Sequence, residues 1–445
     1  MSAGEYGTSL GKDQRRIERA MKKRRVLLLT QWFEPEPTFK GLVFARELVQ
    51  RGYEVEVVTG FPNYPGGKIY PGYKVSLLRR ELLEGVEITR LPLYPSHDAS
   101  ALRRVANYVS FAVAAMIYCL LFAKKPDVIY VYQLPTLGAV ASQVSIFRGV
   151  PFVFDVQDIW PETLRATGMV RSQTILNIVG RVAKQVYARA AAIVVLSPGF
   201  RRMLIERGVD AAKIELIYNW CDEEALRQPH EGQIDGFPGS EKFRIVFAGN
   251  IGKAQSLGAV LDAADELRSS NPRITFVFIG GGVEVDDLKS SAARRGLNNV
   301  LFLPRVGINR IGAFLQAADA LLVHLKADPL FTVTIPGKTQ AYMAMGKPIL
   351  IAVPGDAAEL VRQARCGVEA IPENATSIAS AAVDLASSSG GELAAMGEGA
   401  KAFYSANLAL SVGVDRFARL FDNVIQKSPS RSPRPETVTQ PRQAT

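Results

Sequence analysis

The segment from Pro336 to Pro348, PGKTQAYMAMGKP, places chemically useful residues at the start of a predicted helix. Gly337, Lys338 and Thr339 would offer free backbone N–H groups, the positive end of the helix dipole and a cation, which together suit a diphosphate. The segment is not a Walker loop, because no G-x-x-x-x-G-K-[ST] spacing precedes it. Proline, glycine and threonine also begin many helices for capping reasons alone. The pattern therefore predicts either an anion site or an ordinary helix start.

Two clusters of small residues follow predicted strands in the second half of the chain: Gly249, Asn250 and Gly252 in the first, Gly280 and Gly281 in the second. Phosphate oxygens can reach backbone N–H donors where side chains are absent, and Lys253 beside the first cluster would neutralise them. The second cluster would let a nucleotide base lie against the backbone. A tight turn that needs glycine for its shape explains either cluster as well. We predict Lys253 as a catalytic residue and both clusters as binding residues.

Two side chains in the first half of the chain are candidates for the reaction itself. Asp158, in QDIWPET, follows a predicted buried strand, where a carboxylate can hold or deprotonate a hydroxyl group. It would otherwise cap the helix that begins near Pro161. His97 lies shortly before two arginines and would contact a sugar or a phosphate, although a lone loop histidine is more often solvated. Both residues are predicted to be catalytic.

Strand and helix alternate along the whole chain. Two segments, 23–33 and 243–253, each run from basic residues into an unbroken apolar strand, as the first strand of a doubly wound domain does. Further apolar runs predict strands at 55–59, 128–132, 152–156, 193–196, 275–279, 300–303, 320–325, 349–353 and 367–371. The pattern predicts an α/β protein with parallel sheets in both halves. Ligands of such sheets bind beyond the carboxyl ends of the strands, so the two domains are expected to face one cleft.

The 445 residues exceed what one hydrophobic core usually supports, so two domains are expected. A polar stretch with prolines and glycines between the halves predicts the linker. The predicted division is a basic N-terminal extension at 1–24, an N-terminal acceptor domain at 25–221, a linker at 222–242, a C-terminal nucleotide-sugar domain at 243–410, a helix crossing back at 411–426 and a disordered tail at 427–445.

The net charge of +10 is concentrated at the two ends of the chain. Residues 1–25 carry +5 and residues 427–445 carry +3, which leaves about +2 for the folded body. That is too little for a face that binds nucleic acid. The basic ends either rest on an anionic membrane surface or only keep the chain soluble. Three scattered cysteines and three histidines have no zinc-site spacing, so no metal site is predicted, and buried thiols in a reducing compartment are expected.

The stretch from Val105 to Ala123 contains no charged residue and nearly reaches the ~20 residues that a membrane span requires. Asn107, Tyr108 and Ser110 dilute its apolar character, and lysines or arginines flank both ends. Three interpretations are open at this point: a shallow interfacial helix, a buried core helix and a bilayer span.

The loops taken together resemble glycosyltransferase family 4, whose members have the GT-B architecture of two facing Rossmann-like domains. The resemblance covers roughly residues 24–426. It rests on six blocks, RGYEVEVVTGFPNYPGGKIYPGY at 51–73, PSHDASALRRVANYVSF at 95–111, QDIWPET at 157–163, LSPGFRRMLIERGV at 196–209, AGNIGKAQSLGAVLDAA at 248–264 and DPLFTVTIPGKTQAYMAMGKPIL at 328–350. The first three blocks are similar to the branch of N-acetylfucosaminyl and related aminosugar transferases.

The resemblance implies a retaining, metal-independent transfer of a sugar, N-acetylated in that branch, from a UDP-sugar to a polyprenyl diphosphate-linked acceptor. The product would enter a surface polysaccharide such as O-antigen. The enzyme would bind peripherally to the cytoplasmic face of the inner membrane and would need no cofactor. The donor would contact the residues that begin the predicted helix: Ile335, Pro336, Gly337, Lys338, Thr339 and Gln340. Gly41, beside Lys40, would contact the sugar and phosphate.

Three positions depart from the family pattern. Ala341 and Val333 stand where the family carries two glutamates, the first of which binds the ribose, and Tyr132 replaces a histidine. Gln340 would substitute for the ribose contact by hydrogen bonding, or donor affinity would fall. Two alternative functions follow, a catalytically impaired GT-B partner of another transferase and a UDP-sugar epimerase. A nicotinamide dehydrogenase fits worst, because neither strand-one loop contains G-x-G-x-x-G. The sugar, the acceptor, the linkage and the oligomeric state do not follow from the pattern.

Overall fold

A computed structural model describes residues 23–96, 101–166, 170, 172–226, 234 and 236–428. The chain divides into two compact units. The first comprises Met1–Val156, Ser172–Ile193 and Phe417–Thr445, and the second comprises Gln157–Arg171 and Val194–Arg416, each as far as it is described. The predicted domain limits stay a prediction. The N-terminal extension and the tail fall outside the described residues, except for 23–24 and 427–428.

The first sheet contains eight strands. Their bounds are β1 Arg25–Leu29, β2 Glu54–Gly60, β3 Arg79–Leu83, β4 Val86–Leu91, β5 Val128–Tyr132, β6 Phe152–Val156, β7 Ala192–Val195 and β8 Ile214–Leu216. The order across the sheet is β3-β4-β2-β1-β5-β6-β7-β8. The helices of this half are α1 Leu42–Gln50, α2 Ala101–Leu121, α3 Pro135–Arg148, α4 Glu162–Ala166, α5 Gln173–Arg189, α6 Pro198–Glu206 and α7 Glu223–Leu226.

The second sheet contains six strands, and every neighbouring pair is parallel. Their bounds are β9 Phe243–Asn250, β10 Ile274–Gly281, β11 Val300–Leu303, β12 Ala320–His324, β13 Ile349–Ala352 and β14 Gly367–Glu369, and the order is β11-β10-β9-β12-β13-β14. The helices are α8 Gly258–Ser270, α9 Val285–Arg294, α10 Ile308–Ala317, α11 Gly337–Met345, α12 Asp356–Gln363, α13 Ala375–Ser387, α14 Gly390–Asn407 and α15 Leu410–Lys427.

The predicted α/β class with a Rossmann-like sheet in each half is confirmed, with one correction to the first sheet. β3 runs antiparallel to β4, so this sheet is mixed and not wholly parallel. The sequence pattern missed both strands because charged residues interrupt their apolar runs. β3 lies at the sheet edge and has a neighbour on one side only, so its side chains stay exposed and need not be apolar.

The strand order of the second sheet defines where a ligand would bind. The chain fills β10 and β11 on one side of β9 and then crosses to β12 on the other side. This reversal is a topological switch point, and ligands of open α/β sheets bind outside the carboxyl ends of the strands there. The loops that begin after Asn250 and His324 therefore border the expected site, together with the start of α11.

Candidate active site

Lys338 lies in the first turn of α11 and is the most distinctive charged residue of the second unit. Its Nζ atom is shielded from solvent and has no hydrogen-bond partner among the described residues. It lies 3.3 Å from the centre of the Phe247 ring, and a Cβ atom added at Gly249 would lie 3.7 Å from it. Burial without a counter-ion lowers the pKa of Lys338 to about 7. A buried, unpaired cation beside glycine backbone is suited to an anionic ligand.

The remaining residues at the start of α11 have different surroundings. The Thr339 hydroxyl is buried and also has no partner in the described part of the chain. Ile335 belongs to the apolar core of the second unit. In the amide orientation that satisfies both ends of the group, the Gln340 nitrogen donates to the carbonyl of Pro336 at 2.8 Å. Gln340 is therefore held by its own loop, and its predicted ribose contact stays a prediction.

Tyr342 explains why Lys338 lies beside β9. Its hydroxyl accepts a hydrogen bond from the backbone N–H of Ala248 at 2.9 Å, although these residues are far apart in sequence. The bond fixes α11 against the end of β9. Because β9 and α11 are joined in this way, the Lys338 ammonium is held next to the first glycine cluster.

The register of β9 and β10 sets the two glycine clusters opposite each other. Gly280 pairs with Gly249, and Gly281 pairs with Asn250. Gly249 has a φ of 134° and Gly280 a φ of 153°, and a Cβ atom at Gly280 would overlap the carbonyl oxygen of Gly249. Glycine is thus required by the backbone at Gly280. No atom lies within 4 Å of a Cβ atom built at Gly281, so the space above Gly281 is open.

We expect Gly280→Ala to lower the free energy of unfolding by about 3 kcal/mol, because the methyl group meets backbone atoms that cannot move aside. Urea unfolding measures this change. Gly281→Ala is the matched control and should change stability by less than about 0.5 kcal/mol. Equal stabilities of the two variants would contradict this steric account.

The loop after β9 is shaped by Gln255, which the sequence analysis did not single out. Its side-chain oxygen accepts hydrogen bonds from the Gly252 N–H at 3.1 Å and from the Asn250 amide at 3.3 Å. The Gly252 N–H is therefore already engaged before any ligand binds. Lys253 begins a 3₁₀ turn, Lys253–Gln255, and its side chain is exposed. The predicted roles of these loop residues are not tested by the structure.

His324, at the carboxyl end of β12, joins the two loops that border the switch point. The ring is fully buried, with Nδ1 2.7 Å from the Gln255 carbonyl and Nε2 accepting from the Glu373 N–H at 3.2 Å. Burial lowers the pKa of His324, which suits a neutral ring that donates through Nδ1 and accepts through Nε2. The carboxylate of Glu373 in turn accepts from Ser256 and from the Ala327 N–H, both at 2.6 Å. The switch-point rule is the sequence signal that could have identified His324.

Asp158 follows β6 and lies in the second unit. It has no hydrogen-bond or ion-pair partner among the residues that the structure describes, and burial raises the pKa of its carboxyl group. The capping alternative finds no support, because the Thr163 N–H of α4 donates to the carbonyl of Ile159. Arg207 holds this segment by donating to the Trp160 carbonyl at 3.1 Å and pairing with Glu162 at 2.8 Å. The carboxylate of Asp158 is thus positioned by its neighbours and available.

Gly41, in the first unit, is the N-cap residue of α1. A Cβ atom there would overlap the Glu34 side chain, and the Glu34 carboxylate accepts from the Leu42 N–H. The start of α1 is therefore occupied by a carboxylate of the chain itself. Lys40 is fully buried and pairs with Asp155 at 2.9 Å. The role predicted for Gly41 stays a prediction, and His97 lies outside the described residues.

The described residues offer neither a metal site nor a reactive thiol. Within the described ranges, no group of three or more His, Cys, Asp or Glu side chains is arranged to hold a metal ion. Cys119, Cys221 and Cys366 are buried free thiols, and burial raises the pKa of each thiol to about 12. These thiols are poor nucleophiles at neutral pH, because the thiolate is the reactive form.

The two Rossmann-like sheets, with a buried lysine at a helix start beside the switch point of the second, define a GT-B glycosyltransferase. A Glycosyl transferase 4-like domain matches residues 42–220, and a Glycosyl transferases group 1 domain matches residues 242–388. These two glycosyltransferase models together match most of the chain, and the predicted resemblance to glycosyltransferase family 4 is confirmed.

Several known proteins are similar to this chain. A putative colanic acid biosynthesis glycosyl transferase, WcaI of Escherichia coli K12, is 27% identical over 331 residues, which cover 71% of this chain and 79% of the relative. HepE of Anabaena, solved with UDP and glucose, matches with a TM-score of 0.63 at 18% identity and covers 90% of this chain and 100% of its own. A UDP-forming trehalose-phosphate synthase of Burkholderia vietnamiensis has a TM-score of 0.65 at 13% identity, with coverage of 90% and 100%. At these identities the two structures show the fold alone.

Proposed function

We propose that the protein transfers a sugar from a UDP-sugar to a lipid-linked diphosphate acceptor during surface polysaccharide assembly. The single observation that carries the proposal is the buried and unpaired Lys338 at the start of α11. The name of the E. coli relative supports the polysaccharide context, and the complexes of HepE with UDP and with UDP-glucose support the choice of donor.

The chemistry requires stabilisation of the leaving diphosphate as the bond to the sugar lengthens, because negative charge grows on its oxygens. The Lys338 ammonium, the N–H groups of Gly337 and Lys338 and the unpartnered Thr339 hydroxyl would meet this charge, whereas the Thr339 N–H already donates to the Pro336 carbonyl at 2.8 Å. Exposed Lys253 would add a second cation from the neighbouring loop. Transfer without a metal ion is the part of the proposal that follows from the family resemblance.

Asp158 would orient the acceptor hydroxyl and remove its proton as the new bond forms. Burial raises the pKa of its carboxyl group, which makes the carboxylate a stronger base. Retention of the anomeric configuration and an N-acetylated sugar are the parts of the proposal that follow from the family resemblance. We propose that the reaction takes place at the cytoplasmic face of the inner membrane, where the lipid-linked acceptor would be held and the protein would bind peripherally.

A catalytically impaired GT-B partner of another transferase is the second candidate, and Ala341 favours it. Ala341 stands where the family carries the glutamate that binds the ribose, and an alanine has no carboxylate to offer. It is half-buried and packs against the apolar core of the second unit. The neighbouring Gln340 is held by its own loop. The epimerase alternative has no such support, because both halves of the chain match glycosyltransferase domains.

Calorimetric titration with UDP and an assay for UDP release test the proposal. We expect the protein to bind UDP, with ADP as the weaker control nucleotide, and to release UDP from one member of a UDP-sugar panel when a polyprenyl diphosphate-linked sugar is present. UDP binding without turnover on any donor would favour the impaired partner. Absence of both binding and release would contradict the proposed function.

A further inference from the structure

The outward side of α2 carries a row of exposed apolar side chains at four-residue spacing. The exposed fraction is about half or more for each: Val105 48%, Val109 48%, Val113 54%, Ile117 49% and Leu121 71%. Each step of four residues turns only about 40° around the helix, so these five form a continuous stripe that winds slowly along its outward side. Phe122 extends it and is 65% exposed. We call these six residues the α2 face.

The opposite side of α2 is fastened to the first sheet. The Asn107 amide nitrogen donates to the Tyr94 carbonyl at 2.8 Å and to the Asn63 side chain at 3.2 Å. Three turns later, the Tyr118 hydroxyl donates to the Glu56 carboxylate at 2.7 Å. These buried polar contacts hold the helix along most of its length. It therefore lies on the unit with one side in the core and the other side uncovered.

These contacts decide among the three interpretations of the uncharged stretch. In the described part of the chain, Arg103–Leu121 is one helix that is long and apolar enough to cross a membrane, but only 28% of that window is buried. A bilayer span would have to break the bonds of Asn107 and Tyr118 and leave their partners unsatisfied. A wholly buried core helix would not leave the α2 face uncovered. The surface position suits an interfacial helix.

The apolar surface continues at the end of α3. The Arg148 guanidinium donates to the Ala123 carbonyl at 2.9 Å and to the Cys119 carbonyl, which fixes the end of α3 beside the end of α2. Ile146 and Phe147, just before this arginine, are 50% and 73% exposed. Large apolar side chains thus cluster at this end of the unit.

The charges around α2 indicate what covers it. Residues 99–126 contain four cations, Arg103, Arg104, Lys124 and Lys125, and no aspartate or glutamate. Two of these cations lie in the first turn of this helix, which is about 30 Å long, and the other two follow its end. At an anionic bilayer surface, lipid phosphates can contact the cations near both ends of α2, and the boundary of the acyl chains can contact the apolar side chains between them.

We propose that the α2 face docks in the plane of an anionic lipid bilayer, with its apolar side chains at the boundary of headgroups and acyl chains. This inference deepens the proposed function, because a lipid-linked acceptor is held at that surface. It stands on different residues from the UDP site, so either proposal can fail without the other.

Flotation of the full chain with vesicles of phosphatidylglycerol and phosphatidylcholine tests the docking. We expect binding to the anionic vesicles and a loss of roughly tenfold or more in partitioning for the double variant Val109→Glu, Val113→Glu. Ile178→Glu is the matched control, because it changes a 51% exposed residue on α5 of the same unit and should leave partitioning unchanged. Circular dichroism and urea unfolding show whether each variant is folded, and calorimetry with UDP shows separately whether the donor site is intact.

Four results would overturn the docking proposal. Undiminished binding of the double variant would assign the interaction to the basic ends of the chain, and absence of wild-type binding would exclude it. A variant that floats poorly because it unfolds is recognised by the loss of its cooperative unfolding transition in urea. An environment-sensitive dye on Val113→Cys then decides the matter in the otherwise native protein, since its emission should shift to the blue only with anionic vesicles. An unshifted dye, or gel filtration showing that the α2 face joins two copies of the chain, would contradict docking on lipid.

Discussion

Lys338→Met is expected to weaken UDP binding at least ~100-fold, since charge-assisted hydrogen bonds contribute about 1.5–3 kcal/mol each and the lysine would make more than one. The same substitution should stabilise the fold, because it removes a buried charge that has no described partner. Each unit of pKa shift corresponds to about 1.4 kcal/mol, so we expect a gain of about 2–4 kcal/mol near pH 7. Calorimetry and urea unfolding measure the two effects.

The stability gained by Lys338→Met depends on pH, because the pKa of Lys338 is lowered in the folded protein. The pKa of Lys338 is lowered to about 7 in the folded protein, whereas it is about 10.4 in an unfolded chain. The unfolded state therefore binds more protons between these values, and the cost of the buried charge shrinks as pH rises from 7 to about 10. The stability gained by Lys338→Met should shrink over the same window.

Proton uptake on binding gives a second readout of the same lysine. At pH 8 most of the free protein has a neutral Lys338, and a bound diphosphate would favour the ammonium form. Titrations in two buffers of different ionisation enthalpy should show uptake of nearly one proton at pH 8 and little at pH 6. Lys289→Met, an exposed lysine of α9, is the control and should keep both affinity and uptake. Wild-type uptake in Lys338→Met would contradict the assignment.

Asp158→Asn is expected to lower the rate of sugar transfer by about 10²–10⁴-fold, the usual contribution of a positioned acid or base. UDP affinity should be unchanged, because the substitution leaves the start of α11 intact. The pKa of Asp158 is raised, and a base acts when ionised, so wild-type transfer should fall as pH drops through that pKa. Initial rates of UDP release between pH 4 and 8 measure both effects.

Glu162→Gln is the matched control for Asp158. It lies four residues away and pairs with Arg207, so it reports the cost of disturbing the segment without touching the proposed base. A similar loss in both variants would assign the Asp158 effect to structure. A normal rate for Asp158→Asn would remove Asp158 from the reaction.

The sequence predicted most strands of both sheets because buried parallel strands are unbroken apolar runs. β5 and β6 have the predicted bounds, and the first strand of each half lies within its predicted segment. β3 escaped prediction because an edge strand has no second neighbour and no need for an apolar pattern. Local patterning therefore gave the fold class but not the mixed sheet.

The candidate site was predictable in part for a related reason. The position of Lys338 and Thr339 at a helix start depends on neighbouring residues alone, so it could be predicted from the sequence. The contacts of His324 with Gln255 and with Glu373 join residues 69 and 49 positions apart in sequence, and no local pattern records them. Exposure of the α2 face is likewise a property of tertiary packing, which is why the sequence left three interpretations of that helix.

A crystal structure of the full chain with bound UDP would show directly whether the diphosphate binds at Lys338. We expect oxygen atoms of the diphosphate within hydrogen-bond distance of Lys338 Nζ and of the first N–H groups of α11, with the nucleoside lying toward the open space above Gly281. UDP bound elsewhere, or bound here with Lys338 turned away from the diphosphate, would contradict it.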